Sequence, residues 1–256
     1  MQKHIFFSIQ KPALEMREIS ALKRSAGFFN SLIQIHNISR GGFANCKYAL
    51  KVMSLNWRVG DLCQIKIEGL DAELSCMVFT DLINDYFQML YTNHKRVAHE
   101  VTLSYQHSLE SPFPFYFHQQ KVDPETQYKK NKILLSLARM ITSTHYKPLL
   151  SALLEREKIS ATGISSKIAM PHIISDLVDK PWIIVLPSDK NIYWSSHFSN
   201  IHLIIAIILP RNASTQVFKS IIKLSCMLLN PAFSQLLLQS NDPLEIETLL
   251  IYCFKY

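Results

Sequence analysis

The chain has 256 residues, of which 48% are hydrophobic and 18% are charged, so it can form two packed domains and is too apolar for disorder. Its net charge is +7, but no block of five or six like charges occurs, which argues against a nucleic-acid-binding arm. The five cysteines form no CxxC pair, and no histidine pair has metal-ligand spacing beside a carboxylate. These patterns predict reduced thiols in a cytoplasmic protein that has no metal site and no cofactor.

Two apolar segments bear on targeting. The N-terminal MQKHIFFSIQK is too short in apolar length for a signal peptide. The longest apolar run, Leu203 to Leu209, is far below the length of a membrane span, so no membrane insertion is expected. The modest basic excess is either an ordinary solvated face or a means of steering an acidic or phosphorylated protein partner.

Residues 1–92 alternate between strand and helix patterns, which predicts an α+β domain, an open-faced β-sandwich with three helices. Asp71 is the expected N-cap of the third helix, and the glycines at 41 and 42 predict a hairpin turn. The predicted elements are strand 4–8, helix Glu15 to Phe29, strand Leu32 to Ile38, helix Lys47 to Leu55, strand Leu62 to Ile67 and helix Asp71 to about Leu90.

Residues 93–124 are the predicted linker. They contain three prolines and many polar residues, and they show no sustained hydrophobic period. The aromatic residues from Phe113 to Phe117 are expected to pack on a domain surface. A peptide-docking segment is the alternative interpretation.

Residues 125–256 predict a second domain, an α/β sandwich with a mixed sheet. The nearly unbroken apolar strands are typical of a sheet that is covered on both faces. The predicted elements are helices from Asn131 to Thr142 and His145 to Lys158, strands Ile168 to Met170, Pro181 to Leu186 and Ile201 to Leu209, and helices Ala213 to Leu229, Pro231 to Gln239 and from Asp242 onward.

A motif in the second domain carries a resemblance. R-E-K at 156–158, T-G-I at 162–164 and I-A-x-P-H at 168–172 resemble the phosphoryl-acceptor segment of enzyme IIA of the fructose/mannitol type. That enzyme IIA is a carrier of the bacterial phosphoenolpyruvate-dependent sugar phosphotransferase system. The resemblance covers roughly Glu125 to Tyr256. It implies that His172 accepts a phosphoryl group from a phosphorylated carrier and passes it on.

The chemistry of these residues is compatible with that role. A neutral imidazole is nucleophilic near physiological pH, and a phosphoryl group needs donors and cations around its oxygens. Arg156, sixteen residues before His172, offers a planar fork of donors, and Thr162 and the Gly163 amide offer more. We therefore take His172, Arg156 and Thr162 as the candidate catalytic residues. Considered alone, His172 would be read as an ordinary loop histidine.

The chain departs from the family pattern at several positions. The family's second active-site histidine corresponds to Val217, which has no side-chain donor for a phosphate. Ser165, Lys167 and Ile173 stand where the family usually has glycine. These departures favour the alternative of a module with little or no turnover.

A second resemblance covers about residues 1–90. N-S-x-I at 30–33, V-M-S-L at 52–55, and G-D at 60–61 followed by E-G-x-D-A at 68–72 resemble the histidine phosphocarrier protein of the same system. The carrier's phosphorylated histidine falls on Glu15, its arginine on Arg17 and its proline on Glu18. Glu15 either imitates a phosphorylated carrier or is an ordinary carboxylate at a helix start.

Two functions follow from the resemblances. In the first, His172 takes phosphate from the phosphorylated histidine phosphocarrier protein or enzyme I and delivers it to a sugar permease component. In the second, the chain is a regulatory binding module, non-catalytic or phosphorylation-sensing, that reports the state of the system to another protein. No enzyme I-like segment is recognised in this sequence, so the donor is expected to come from elsewhere.

Overall fold

A computed structural model describes residues 2–12, 14–94 and 109–256. The chain divides into two compact units, Met1–Glu110 and Ser111–Tyr256. Each unit has its own five-stranded sheet and its own hydrophobic core.

The first unit is an antiparallel sheet with the strand order β3-β2-β4-β1-β5 and three helices. The elements are β1 (Gln2–Ser8), α1 (Met16–Gly27), β2 (Leu32–Asn37), β3 (Gly42–Asn45), α2 (Ala49–Met53), β4 (Leu62–Glu68), α3 (Ala72–Tyr86) and β5 (Gln88–Thr92). Alternate residues of β4, Cys63, Ile65 and Ile67, share one core with Ile19 of α1 and Phe79 of α3. The predicted α+β sandwich with three helices is confirmed.

The predicted end of the third helix at Leu90 was wrong. α3 ends at Tyr86, and Phe87 has extended backbone angles, φ −134° and ψ 169°. The following residues form β5, in which Met89 pairs with Phe7 of β1. The run from Phe87 to Leu90 is apolar enough to continue a helical stripe, but the free edge of β1 offers its backbone groups hydrogen-bond partners.

The sequence predicted that the side chain of Asp71 caps the third helix. This was wrong, because the Asp71 side chain makes no capping hydrogen bond to α3. Its carboxylate accepts hydrogen bonds from the backbone amides of Asn30 at 2.8 Å and Ser31 at 2.9 Å and from the Ser31 hydroxyl. The Ser31 hydroxyl and these amides hold the pKa of Asp71 below its usual value. Asp71 therefore ties the start of α3 to the segment that enters β2. The predicted hairpin turn is present, with Gly41 at φ +77°.

The second unit contains a mixed sheet with the order β6-β9-β10-β7, in which β8 also pairs with β10. The elements are β6 (Tyr116–Gln119), α4 (Lys130–Ile141), α5 (Tyr146–Ile159), β7 (Ile168–Ala169), β8 (His172–Ser175), β9 (Trp182–Ile192), β10 (Ile201–Pro210), α6 (Thr215–Leu228), α7 (Pro231–Gln239) and α8 (Pro243–Lys255). β10 is antiparallel to β9 and parallel to β7 and β8. The mixed α/β architecture is confirmed.

The central strand β10 shows that both faces of this sheet are covered. Every residue from Leu203 to Ile208 is at most 1% exposed, although successive side chains point to opposite faces. Ile204, Ala206 and Ile208 belong to the same core as Leu134 of α4 and Leu149 of α5. The covered sheet gives β8 and its neighbours a fixed frame.

Part of the segment predicted as linker is ordered in the second unit. Tyr116–Gln119 forms β6, which runs parallel to β9. Phe113 is 8% exposed, and its ring lies 5.2 Å from that of Phe254. The prolines and polar residues of this segment indicated a linker. Burial of these aromatic rings explains why part of the segment is ordered instead.

Cys46, Cys63, Cys76 and Cys253 are buried free thiols as expected, whereas Cys226 is exposed.

Among the described helices, none is by itself long and apolar enough to cross a membrane. α6 and α7, bent by 92° at the break between them, meet that criterion only as a pair and only by length and composition.

Candidate functional site

Arg156 joins the end of α5 to His172. Its Nη1 donates a hydrogen bond to the Ser160 carbonyl at 2.9 Å, just beyond the last residue of the helix. Its Nη2 lies 3.3 Å from Nε2 of His172. The last carbonyls of a helix lack partners within the helix, so a cation in the final turn is stabilised there. One guanidinium therefore closes the helix and faces the imidazole.

His172 lies at the start of β8, after Met170 and Pro171 interrupt the edge begun by β7. The Pro171 carbonyl accepts a hydrogen bond from the Ile207 amide of β10 at 2.9 Å, which fixes the backbone directly before the histidine. The sequence predicted His172 at the exit of the strand Ile168 to Met170. The structure instead starts a second short strand at this residue, with its imidazole partly buried.

The two ring nitrogens of His172 have different partners. Nδ1 lies 2.9 Å from the Met170 carbonyl oxygen, which can only accept, so Nδ1 carries the proton. Nε2 faces the guanidinium of Arg156, which can only donate, so Nε2 carries the lone pair. In a neutral imidazole, these contacts place the proton on Nδ1 and the lone pair on Nε2.

The hydroxyl of Thr162, which the sequence suggested as a donor to the phosphoryl group, is directed to Glu157. Thr162 is 6% exposed, and its hydroxyl donates to the carboxylate of Glu157, to which its amide also donates at 3.4 Å. Its carbonyl accepts a hydrogen bond from the Met170 amide at 2.8 Å. The structure thus brings Arg156 and His172 together, while Thr162 connects the loop after α5 to the segment before His172.

Two further residues, one in the last turn of α5 and one in the loop after it, were missed or only partly interpreted from the sequence. Glu157 is a buried carboxylate, and its place inside the R-E-K motif was the available signal. Gly163 forms a bridge with Ala169, and a Cβ at this position would overlap the Phe198 ring. Glycine is therefore required there by space.

Val217 lies in the first turn of α6, which Ser214 caps by accepting a hydrogen bond from the Val217 amide at 3.4 Å. The valine is 5% exposed and has no side-chain donor.

Beyond β8 and β10, Asp176 and Arg211 form an exposed ion pair at 2.6 Å, and this arginine lowers the pKa of Asp176. Within the described residues, no group of three or more His, Cys, Asp or Glu side chains could hold a metal ion.

In the first unit, Glu15 is the residue before α1 and is 61% exposed at its side chain. Its carboxylate accepts a hydrogen bond from Lys11 at 3.1 Å, and its amide donates to Glu18 at 2.8 Å. Arg17 lies over the ring of Tyr86, 5.4 Å from its centroid. The charge of Glu15 is therefore paired with Lys11 in this structure.

Two family models match the chain. The model for the phosphoenolpyruvate-dependent sugar phosphotransferase system, EIIA 2, matches residues 115–252. The model for the PTS HPr component phosphorylation site matches residues 9–85.

Two curated relatives match part of the chain. The chain is 31% identical over 96 residues to multiphosphoryl transfer protein 1 of Escherichia coli (strain K12) and 30% identical over 96 residues to the multiphosphoryl transfer protein of Shigella flexneri. Each match covers 38% of this chain but only 12% of the relative's length.

Two of the similar solved structures cover different parts of the chain. The nitrogen regulatory protein IIA-Ntr from Neisseria meningitidis is 16% identical with a TM-score of 0.44 and covers 53% of this chain and 92% of its own. A histidine-containing phosphocarrier protein of Mycoplasma is 25% identical with a TM-score of 0.31 and covers 33% of this chain and 98% of its own.

The two family matches make this a protein of the phosphotransferase system, built from domains of the phosphoryl-carrier class. More precise assignment comes from the second unit. The chain belongs to the EIIA 2 family of the phosphoenolpyruvate-dependent sugar phosphotransferase system, whose model covers more than half of its residues.

Proposed function

We propose that the chain is a phosphoryl carrier that accepts phosphate on Nε2 of His172. The donor is the phosphorylated histidine phosphocarrier protein or enzyme I, and the recipient is a sugar permease component. The observation that carries this proposal is the arrangement of the ring, with Nδ1–H held by the Met170 carbonyl and the lone pair of Nε2 beside Arg156.

The transfer follows from these contacts. Nε2 attacks the phosphorus of the donor's phosphohistidine, a new N–P bond forms, and the bond to the donor's ring breaks with its electron pair staying on the donor nitrogen. The imidazole of His172 becomes positively charged, and the Met170 carbonyl stabilises that charge through Nδ1–H. Arg156 then exchanges its contact with Nε2 for the phosphoryl oxygens, whose charge a guanidinium fork suits.

The chain is modified once per transfer cycle and is regenerated when the phosphate leaves. In this sense it is a phosphohistidine phosphotransferase of the enzyme IIA type. Glu15 cannot form a phosphohistidine, so the position that matches the carrier's phosphorylated histidine does not supply the donor.

A regulatory binding module is the second candidate function. Val217 and Glu15 favour it, because each replaces a histidine of the corresponding family pattern. In this case the chain keeps binding surfaces of the phosphotransferase system without turnover, and His172 either senses phosphorylation or is not used.

Incubation with phosphoenolpyruvate, enzyme I and the histidine phosphocarrier protein separates the two functions. We expect acid-labile phosphate on the wild-type chain and none on His172→Ala. His202→Ala is the matched control, because His202 is also a partly buried strand histidine, with its Nδ1 3.2 Å from the Ser188 carbonyl. A wild-type chain that takes up no phosphate would contradict the carrier function and leave the regulatory one.

A further inference from the structure

An ion pair between a buried carboxylate and a partly exposed ammonium lies behind the loop that follows α5. The Glu157 side chain is 3% exposed, and its carboxylate lies 3.4 Å from the ammonium of Lys130, which is itself 24% exposed. The same carboxylate accepts from the hydroxyl and the amide of Thr162. Lys130 also lies over the ring of Trp194, 5.9 Å from its centroid. Within the described residues, Glu157 therefore has both a charged partner and hydrogen-bond donors.

Stability alone is a weak reason for this arrangement. Burying a carboxylate costs free energy that its attraction to a nearby ammonium often does not exceed, and apolar residues of similar size frequently stabilise such a site equally well. Buried ionic groups are better suited to fixing one geometry than to adding stability. The geometry that Glu157 fixes is that of Thr162.

Thr162 connects this carboxylate to the imidazole in two steps. Its carbonyl accepts from the Met170 amide at 2.8 Å, and the Met170 carbonyl accepts from Nδ1–H of His172 at 2.9 Å. Arg156 and Glu157, which are consecutive residues of α5, thus act on opposite sides of the His172 ring. Arg156 faces Nε2 directly, and Glu157 supports the carbonyl that holds Nδ1.

We propose that Glu157 is a positioning residue for His172, which holds the Thr162 and Met170 backbone so that the ring keeps its proton on Nδ1 and presents Nε2 as the nucleophile. The functional value of this role rests on the proposed phosphoryl transfer, because the choice of tautomer matters only if Nε2 reacts. The role itself is a property of the unphosphorylated chain and can be measured without any transfer.

The test is the tautomer of His172, read from the ring ¹⁵N chemical shifts of the full-length, ¹⁵N-labelled chain. We expect the Nδ1–H form in the wild type and a substantial population of the Nε2–H form in Glu157→Ala. Glu157→Gln retains an oxygen that accepts from Thr162, so we expect it to restore the wild-type spectrum. Glu155→Ala is the control, because Glu155 lies on the same helix but is exposed and paired with Lys158.

A folded Glu157→Ala chain with the wild-type tautomer would overturn the proposal. If that variant does not fold, Thr162→Val decides, since it removes the hydroxyl bond to Glu157 at nearly constant volume. A shifted tautomer in Thr162→Val supports the role, and an unchanged one overturns it.

The phosphorylation rate provides a second readout. Misplacement of a reacting group by about 1 Å can cost about 100-fold, so we expect Glu157→Ala to lower the maximal rate by about 10- to 100-fold. The donor concentration at half-maximal rate should not change, because Glu157 is buried and does not contact the donor. A tautomer shift in a chain that is never phosphorylated would refute the carrier function while supporting the positioning role.

Discussion

Arg156→Lys tests the contact on which the site depends. The guanidinium donates from two nitrogens at once, to the Ser160 carbonyl at 2.9 Å and to Nε2 of His172 at 3.3 Å. A lysine keeps the charge, but its single ammonium cannot form the same fork. The variant therefore loses one of the two contacts. Its single ammonium can bind either the Ser160 carbonyl at the helix end or the phosphoryl group on His172.

The expected loss follows from that missing contact. A hydrogen bond to a charged group is worth about 1.5–3 kcal/mol, and about 1.4 kcal/mol corresponds to a tenfold change in rate. We expect phosphorylation of His172 to become about 10- to 100-fold slower in Arg156→Lys. The assay is rapid-quench transfer of labelled phosphate from the phosphorylated histidine phosphocarrier protein, at several donor concentrations.

Lys158→Ala is the matched control for this experiment. Lys158 lies two residues further along the same helix, is exposed, and pairs with Glu155 at 2.6 Å. Surface pairs of this kind contribute about 0–1 kcal/mol, so the transfer rate should stay close to that of the wild type. Equal rates for Arg156→Lys and wild type would refute the reasoning, and so would an equal loss in Lys158→Ala.

Three further changes test other parts of the account. Gly163→Ala should destabilise the second unit by about 1–3 kcal/mol in a urea titration, because its Cβ would overlap the Phe198 ring; an unchanged midpoint would contradict this packing. Asp71→Asn should make the free energy of unfolding depend less on pH in the acid range. The lowered pKa of Asp71 gives stability that is present above its ordinary value of 3.8 and is lost as the pH falls through the folded value. If the free energy of unfolding of the variant and of the wild type changed equally with pH, that role would be excluded. Glu15→Gln should leave the affinity for enzyme I unchanged in calorimetry, because Lys11 already pairs with Glu15; a large loss would instead support imitation of a phosphorylated carrier.

The strands and helices with clear periods could be predicted from the sequence. β10 was identified from its unbroken apolar run, and the same pattern indicated a sheet covered on both faces, which the burial of residues 203–208 confirms. β5 and β6 could not be identified in this way. Each is short, and each exists because it pairs with a strand that is distant in sequence, β1 for β5 and β9 for β6.

The site shows the same division between local and distant information. The motif spacing brought attention to Arg156 and His172, which the structure places in contact. It could not reveal that the Thr162 hydroxyl is directed to Glu157, because the direction of a side chain depends on the loop that carries it. Nor could it show which nitrogen of His172 holds the proton, since that choice is made by the Met170 carbonyl.

The central claim is that Nε2 of His172 carries the phosphoryl group. The most direct measurement is NMR of the phosphorylated, ¹⁵N-labelled chain, in which coupling between phosphorus and a ring nitrogen identifies the modified atom. The account predicts one phosphorus, bound to Nε2 of His172, while Nδ1 keeps its proton against the Met170 carbonyl. Phosphate on Nδ1, on another residue, or on no residue at all would contradict it.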